Sequence, residues 1–194
     1  MIFNRCSSIF LLSALFTFSV YASSTYKEGE FDDVEKTEVT SKEEREKLSI
    51  TAGLLAKYEI EANKLIESLF DVGLETTAVK AQAQLLIELS TDVIESARFR
   101  LPQCEIYLTK TLELKTMLED ISHESLEKNY HADGALPKAP AECYHTKDLL
   151  VHPATVIVLT RDDPALKRNT RGTIVAEINE VLAHTEIVRE LVVY

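Results

Sequence analysis

The stretch SKEEREKLSITAGLLAKYEIEANKLIESL, Ser41 to Leu69, decides the fold class. Ser41-Lys42-Glu43-Glu44 has the form of a capping box, in which the serine hydroxyl accepts from an amide one turn on and Glu44 reaches back to the cap. Behind it, Leu48, Thr51, Leu55, Tyr58, Ala62, Leu65 and Leu69 recur at alternating spacings of three and four, which lines them up on one face of a long helix. Gly73 is placed to end that helix.

The rhythm recurs downstream. From Leu74 to Arg100, a second helix carries Ala78, Leu85, Leu89, Val93 and Phe99, with Ala81, Leu86 and Ala97 beside them. Small side chains at Ala78, Ala81 and Ala83 permit a neighbour to approach closely. A third helix opens at Pro102, whose missing amide has no partner in a first turn anyway. It presents Cys104, Tyr107, Thr111, Leu114, Leu118 and Ile121 and runs toward Tyr130 until Asp133-Gly134 breaks it. A fourth starts at Asp163-Pro164 and aligns Ile174, Ile178, Val181, Thr185, Val188 and Val192. These patterns predict an all-α fold, an antiparallel up-down four-helix bundle with a long excursion, residues 129–163, between helices three and four. Within the excursion, Thr155-Val156-Ile157-Val158-Leu159 is open to two readings. Its β-branching suggests a strand, but it has no strand partner, which favours a short buried helix or extended segment.

Upstream of Ser41 the chain is of a different kind. Arg5 precedes an apolar run from Ile9 to Val20, and Val20-Tyr21-Ala22 offers small residues for cleavage, so residues 1–22 are expected to be a signal peptide. The run is too short for a membrane span, and Cys6 precedes it, which is the wrong place for a lipid anchor. No stable membrane insertion is expected after cleavage. Residues 23–40 are polar and acidic and are expected to form a flexible tail, leaving 41–194 as one domain. Cleavage removes Arg5, the one charged residue of the leader, and takes the net charge from −11 to −12. With Lys167, Arg168 and Arg171 as the longest basic cluster, and Asp162 and Asp163 beside it, the chain is not built to bind nucleic acid.

Two cysteines outlast the leader, Cys104 and Cys143, and an oxidising compartment favours a disulfide between them. It would close a loop of about 40 residues and draw the excursion against the start of helix three.

Three of the five histidines lie in the excursion, with Pro137, Pro140 and Pro153. The residues most suited to bind a partner or small ligand there are Tyr130, His131, Asp133, Tyr144, His145 and His152. Against this, the simplest role of the segment is a proline-rich cap whose rings cover the bundle end. If the histidines converge, His131, Glu142, His145 and His152 make a set suited to zinc, copper or iron. Covalent haem of the c type requires Cys-x-x-Cys-His, which is missing. A di-iron bundle requires two Glu-x-x-His turns, and only Glu142-Cys143-Tyr144-His145 has that form. His184, on the flank of the fourth seam, reads as a packing residue. No Gly-x-Ser-x-Gly elbow or glycine-rich phosphate loop occurs.

The sequence therefore predicts an exported, periplasmic or secreted, non-enzymatic helical bundle that binds an unknown protein or small ligand through residues 129–163. A metal- or haem-handling protein using the loop histidines is the second expectation. An exported enzyme of unrecognised type is the third.

Overall fold

The computed structural model describes residues 33–194, and across them the chain is helical without a strand. The expected leader over 1–22 and residues 23–32 of the acidic stretch lie outside the described residues. Six α-helices follow in order: α1 (Lys42–Ser68), α2 (Thr76–Arg100), α3 (Glu105–Leu112), α4 (His123–Leu126), α5 (Glu142–Asp162) and α6 (Arg168–Val188). Single turns of 3₁₀ helix at Pro102–Cys104 and Glu113–Thr116 flank α3, and π-helical turns at Glu127–His131 and Arg189–Val193 extend α4 and α6. None of the described helices is long and apolar enough to cross a membrane.

The first helix follows its sequence closely. Ser41 Oγ accepts from the Glu44 amide at 3.0 Å while Glu44 Oε2 accepts from the Ser41 amide at 2.8 Å, closing the capping box. Every residue of its predicted seam is buried. The helix stops at Ser68, earlier than Gly73, and Gly73 (φ +91°) instead supplies a left-handed turn in the connection to α2. In α2 the buried face is rotated from the expected one, because Val79, Ala83, Leu86, Ile87, Ser90, Val93, Ile94 and Ala97 point inward while Ala78 and Ala81 are exposed.

The largest correction concerns residues 129–163. The predicted excursion is not a loop, since 142–162 form the long helix α5, which packs against both α2 and α6. Residues 155–159 belong to it as helix and are buried or nearly so. α5 is buried around most of its circumference because neighbours cover it on several sides, which erases the one-faced periodicity that marks a surface helix. Pro153 lies in its middle. Proline has no amide to give the carbonyl four residues earlier, Leu149, and that carbonyl instead accepts the hydroxyl of the fully buried Tyr58 at 2.9 Å. A side chain of α1 therefore repairs the defect in α5.

The predicted third helix is correspondingly broken. Cys104, Tyr107, Thr111, Leu114 and Leu118 are buried as expected, but regular helix ends at Leu112, and Ser122 caps a new start by accepting from the Ser125 amide at 3.1 Å. The last helix begins at Arg168. Asp163 caps this region through a longer approach, its Oδ2 accepting from the Lys167 amide and the Thr170 hydroxyl.

Hydrogen bonds between helices show how neighbours run. Thr51 meets Ser96 and Ser68 meets Gln82, so α1 and α2 are antiparallel. Glu59 meets Arg189 and the Leu69 carbonyl meets Arg171, which sets α1 against the last helix in the same sense. The Cys104–Cys143 disulfide, with Cα atoms 5.4 Å apart, fixes the start of α5 beside the end of α2. Residues 33–40, part of the expected flexible tail, lie along the helices with fixed partners: the Thr37 amide donates to the Arg100 carbonyl at 2.8 Å, and Gln103 donates to the Glu35 carbonyl at 3.0 Å.

Candidate metal centre

Three elements each carry histidine and carboxylate side chains one helical turn apart. They are His123, Glu127 and His131 on α4 and its π-helical extension, His145, Asp148 and His152 on α5, and Glu177, Glu180 and His184 on α6. Spacings of three and four hold each set to one face of its helix. All five histidines of the chain belong to these sets.

Where the faces meet, two groups of ligand atoms form, each with all its atoms within 4.8 Å of one another: His131, His152 and Glu177, and Asp148, His152 and His184. In the first group, His131 Nε2 is 3.7 Å from Glu177 Oε2 and 3.6 Å from Glu127 Oε1, and His152 Nδ1 is 2.8 Å from Glu177 Oε2. Glu127 Oε1 is buried and takes part in no hydrogen bond. Thr155 Oγ1, one turn beyond His152, is 3.1 Å from His131 Nε2. In the second group, His184 Nε2 is 3.7 Å from Asp148 Oδ2, while His184 Nδ1 is 2.6 Å from His145 Nδ1.

Burial sets the charge states. It pushes His131 down to about 4, with the neighbouring His152 adding to the fall, and takes His184 down to about 4 against the pull of Asp148. Both rings are neutral near pH 7, the form in which imidazole binds a metal. Burial opposes a charge on His152 as well, yet the hydrogen bond to Glu177 and the charge of Asp148 outweigh it and raise this histidine. Glu127 is raised by burial and by repulsion from Glu177.

The supporting residues are equally specific. Lys147, almost fully buried, donates to the Tyr130 and His131 carbonyls at 2.9 and 3.2 Å and to Asp133 Oδ1 at 3.1 Å, holding the π-helical turn against α5. Asp133 adopts a left-handed conformation (φ 57°) and also accepts from the Tyr107 hydroxyl at 2.7 Å. Gly134 then passes so close to the turn that a Cβ there would lie 2.5 Å from the Lys128 carbonyl oxygen. The Glu127–His131 face opens on a groove of about 890 Å³ along α6, lined also by Glu177, Glu180 and His184.

Of the residues expected from sequence, His131 and His152 come together, and His145 reaches the group through His184. Tyr130 is buried and contributes its carbonyl to Lys147, and Asp133 braces the turn. Tyr144 packs near Tyr107 and donates to the Ala139 carbonyl. Glu142 is in the first turn of α5, accepts from Gln103, and is absent from both groups among the described residues. The residues missed were Glu127, Asp148, Glu177 and His184. For Glu127 and Asp148 the signal was present as His123-x-x-x-Glu127-x-x-x-His131 and as Asp148-x-x-x-His152, a spacing of four instead of the three of a di-iron turn. No protein-family model, curated protein or solved structure matches the chain.

Proposed function

We propose that this chain is an exported protein, periplasmic or secreted, whose four long helices form an up-down four-helix bundle and whose function is to bind a transition-metal ion. The ligands are His131, His152, Glu177 and Glu127. The ligand expected of residues 129–163 is thereby narrowed to a cation, taken up by two of its side chains with two carboxylates from outside it. The carrying observation is the buried Glu127 Oε1, which lacks a hydrogen bond and lies between two imidazoles, 3.5 Å from His123 Nε2 and 3.6 Å from His131 Nε2. Metal–ligand bonds of roughly 2.0–2.1 Å in tetrahedral geometry require ligand atoms about 3.4 Å apart. The separations of His131 Nε2 from Glu127 and Glu177, 3.6 and 3.7 Å, are already near that value. To close the site, the 2.8 Å hydrogen bond between His152 and Glu177 lengthens, as the metal takes the place of the proton it holds, and Glu127, which lies outside the group of atoms within 4.8 Å of one another, swings in. Two imidazoles with two carboxylates suit zinc or iron and also accommodate copper. The cysteine pair closed as a disulfide and the apolar leader support export.

Equilibrium dialysis of the mature protein against zinc and copper, read by elemental analysis, tests this. Retention of metal at micromolar free concentration is expected, with at least a tenfold loss of affinity in His131→Ala and Glu177→Ala. Glu142→Gln, in the first turn of α5 and outside both groups of ligand atoms, should retain it. Failure of the wild-type protein to take up either metal would overturn the reading.

A further inference from the structure

Resting on that metal-binding reading, we infer that the cluster is a dinuclear centre, with a second ion held by Asp148, His152 and His184. His152 belongs to both groups of converging ligand atoms, so it serves one ion from each ring nitrogen, as an imidazolate bridge that has released both ring protons to solvent. The second group has its own donor set. Asp148 Oδ1 is engaged by Lys147 at 3.2 Å, which leaves Oδ2, 3.7 Å from His184 Nε2, directed at the site.

His145 has a different part. Its Nδ1 is 2.6 Å from His184 Nδ1, so a proton resides between the two rings. When His184 donates that proton, its other nitrogen, Nε2, carries a lone pair toward Asp148. A ligating histidine is ordinarily oriented in this way, by a partner on the ring nitrogen that does not touch the metal. His145 is therefore a positioning residue for the second ion and not one of its ligands.

Glu127, Asp148, Glu177 and Glu180 supply four carboxylates around the cluster, against Lys147 and, at the groove, Arg168. That excess of acid suits cations there. His131, Glu177 and His184 all line the same groove along α6, so both positions are reached from one opening.

Titration of the metal-free mature protein with cobalt(II), followed by its visible absorption and by native mass spectrometry, reads the number of ions directly. Two are expected per chain. Asp148→Asn and His184→Gln should each bind one, with the spectrum of the first ion kept. His131→Ala should lose the first ion and its band, and His152→Ala should weaken both. His145→Asn should keep the stoichiometry of two but weaken the second ion by about tenfold to a hundredfold. Saturation of the wild type at one ion, or a second ion unaffected by both Asp148→Asn and His184→Gln, overturns the dinuclear centre while leaving the first site standing. No cobalt bound at all would remove the metal-binding reading itself.

Discussion

Tyr58 and Pro153 form the most informative pair in the core. The proline deprives the Leu149 carbonyl of its helical donor, and the Tyr58 hydroxyl from another helix replaces it inside the buried core. Leaving that carbonyl unsatisfied costs about 1–3 kcal/mol. Tyr58→Phe is therefore expected to lower unfolding stability by that amount in urea denaturation. In a Pro153→Ala background, where the alanine restores a backbone amide that can serve the Leu149 carbonyl again, the same substitution should cost under about 1 kcal/mol, a non-additivity diagnostic of the shared carbonyl. Equal losses in both backgrounds would show that the hydroxyl serves packing alone. Sequence analysis took Pro153 as a mark of irregular structure, since it cannot reveal that a tyrosine about a hundred residues earlier supplies the missing donor. The histidines carry the same lesson. His184 was assigned to packing because its neighbours on α6 are apolar, and its partners His145 and Asp148 come from α5.

At the scale of the helices, α1 and α6 were legible because each has one buried face and an exposed one, so periodicity reports the core directly. Burial of most of α5 left no polar stripe to reveal the period, and its β-branched run Thr155 to Val158 pointed toward strand. The stretch 102–131 kept a seam of the right spacing but is divided by 3₁₀ and π turns and by the Ser122 cap. Helix identity between 102 and 162 was consequently exchanged, with a long helix expected where short ones occur and a loop expected at α5. The disulfide was read correctly because compartment and cysteine number determine it without any helix assignment. It joins residues 39 apart, and in the chain-entropy picture closing such a loop is worth about 4 kcal/mol. Because it anchors the end of α5 two residues before His145, Cys104→Ser with Cys143→Ser should lower stability by up to that amount. Chemical denaturation of the double variant, compared with the wild type without reductant, measures the shift. An unchanged midpoint would mean that the surrounding core already fixes the end of α5.

For the whole molecule, the decisive feature is that the cluster draws on elements of unequal solidity. α5 and α6 are long and embedded in the main core, whereas α4 is a single turn whose extension is secured chiefly by Leu126, Tyr130 and the Lys147 contacts. Short elements with few core contacts open locally at low free-energy cost. A metal joining Glu127 and His131 to His152 and Glu177 ties this weak element to the two strong ones. The folded chain assembles the ligands and the unfolded chain scatters them, so binding stabilises by mass action, by about 2.7 kcal/mol at a free metal concentration one hundred times the dissociation constant. The gain should be localised. Zinc is expected to raise amide protection over residues 123–131 far more than in α1 or in the first turns of α2, and chelation should reverse it. In His152→Ala, zinc should raise that protection and the melting temperature much less. Hydrogen exchange with and without zinc measures both effects. Uniform protection across all helices, or undiminished protection in His152→Ala, would place the metal elsewhere, because among the described residues only this cluster couples residues 123–131 to α5 and α6 through ligand atoms less than 5 Å apart.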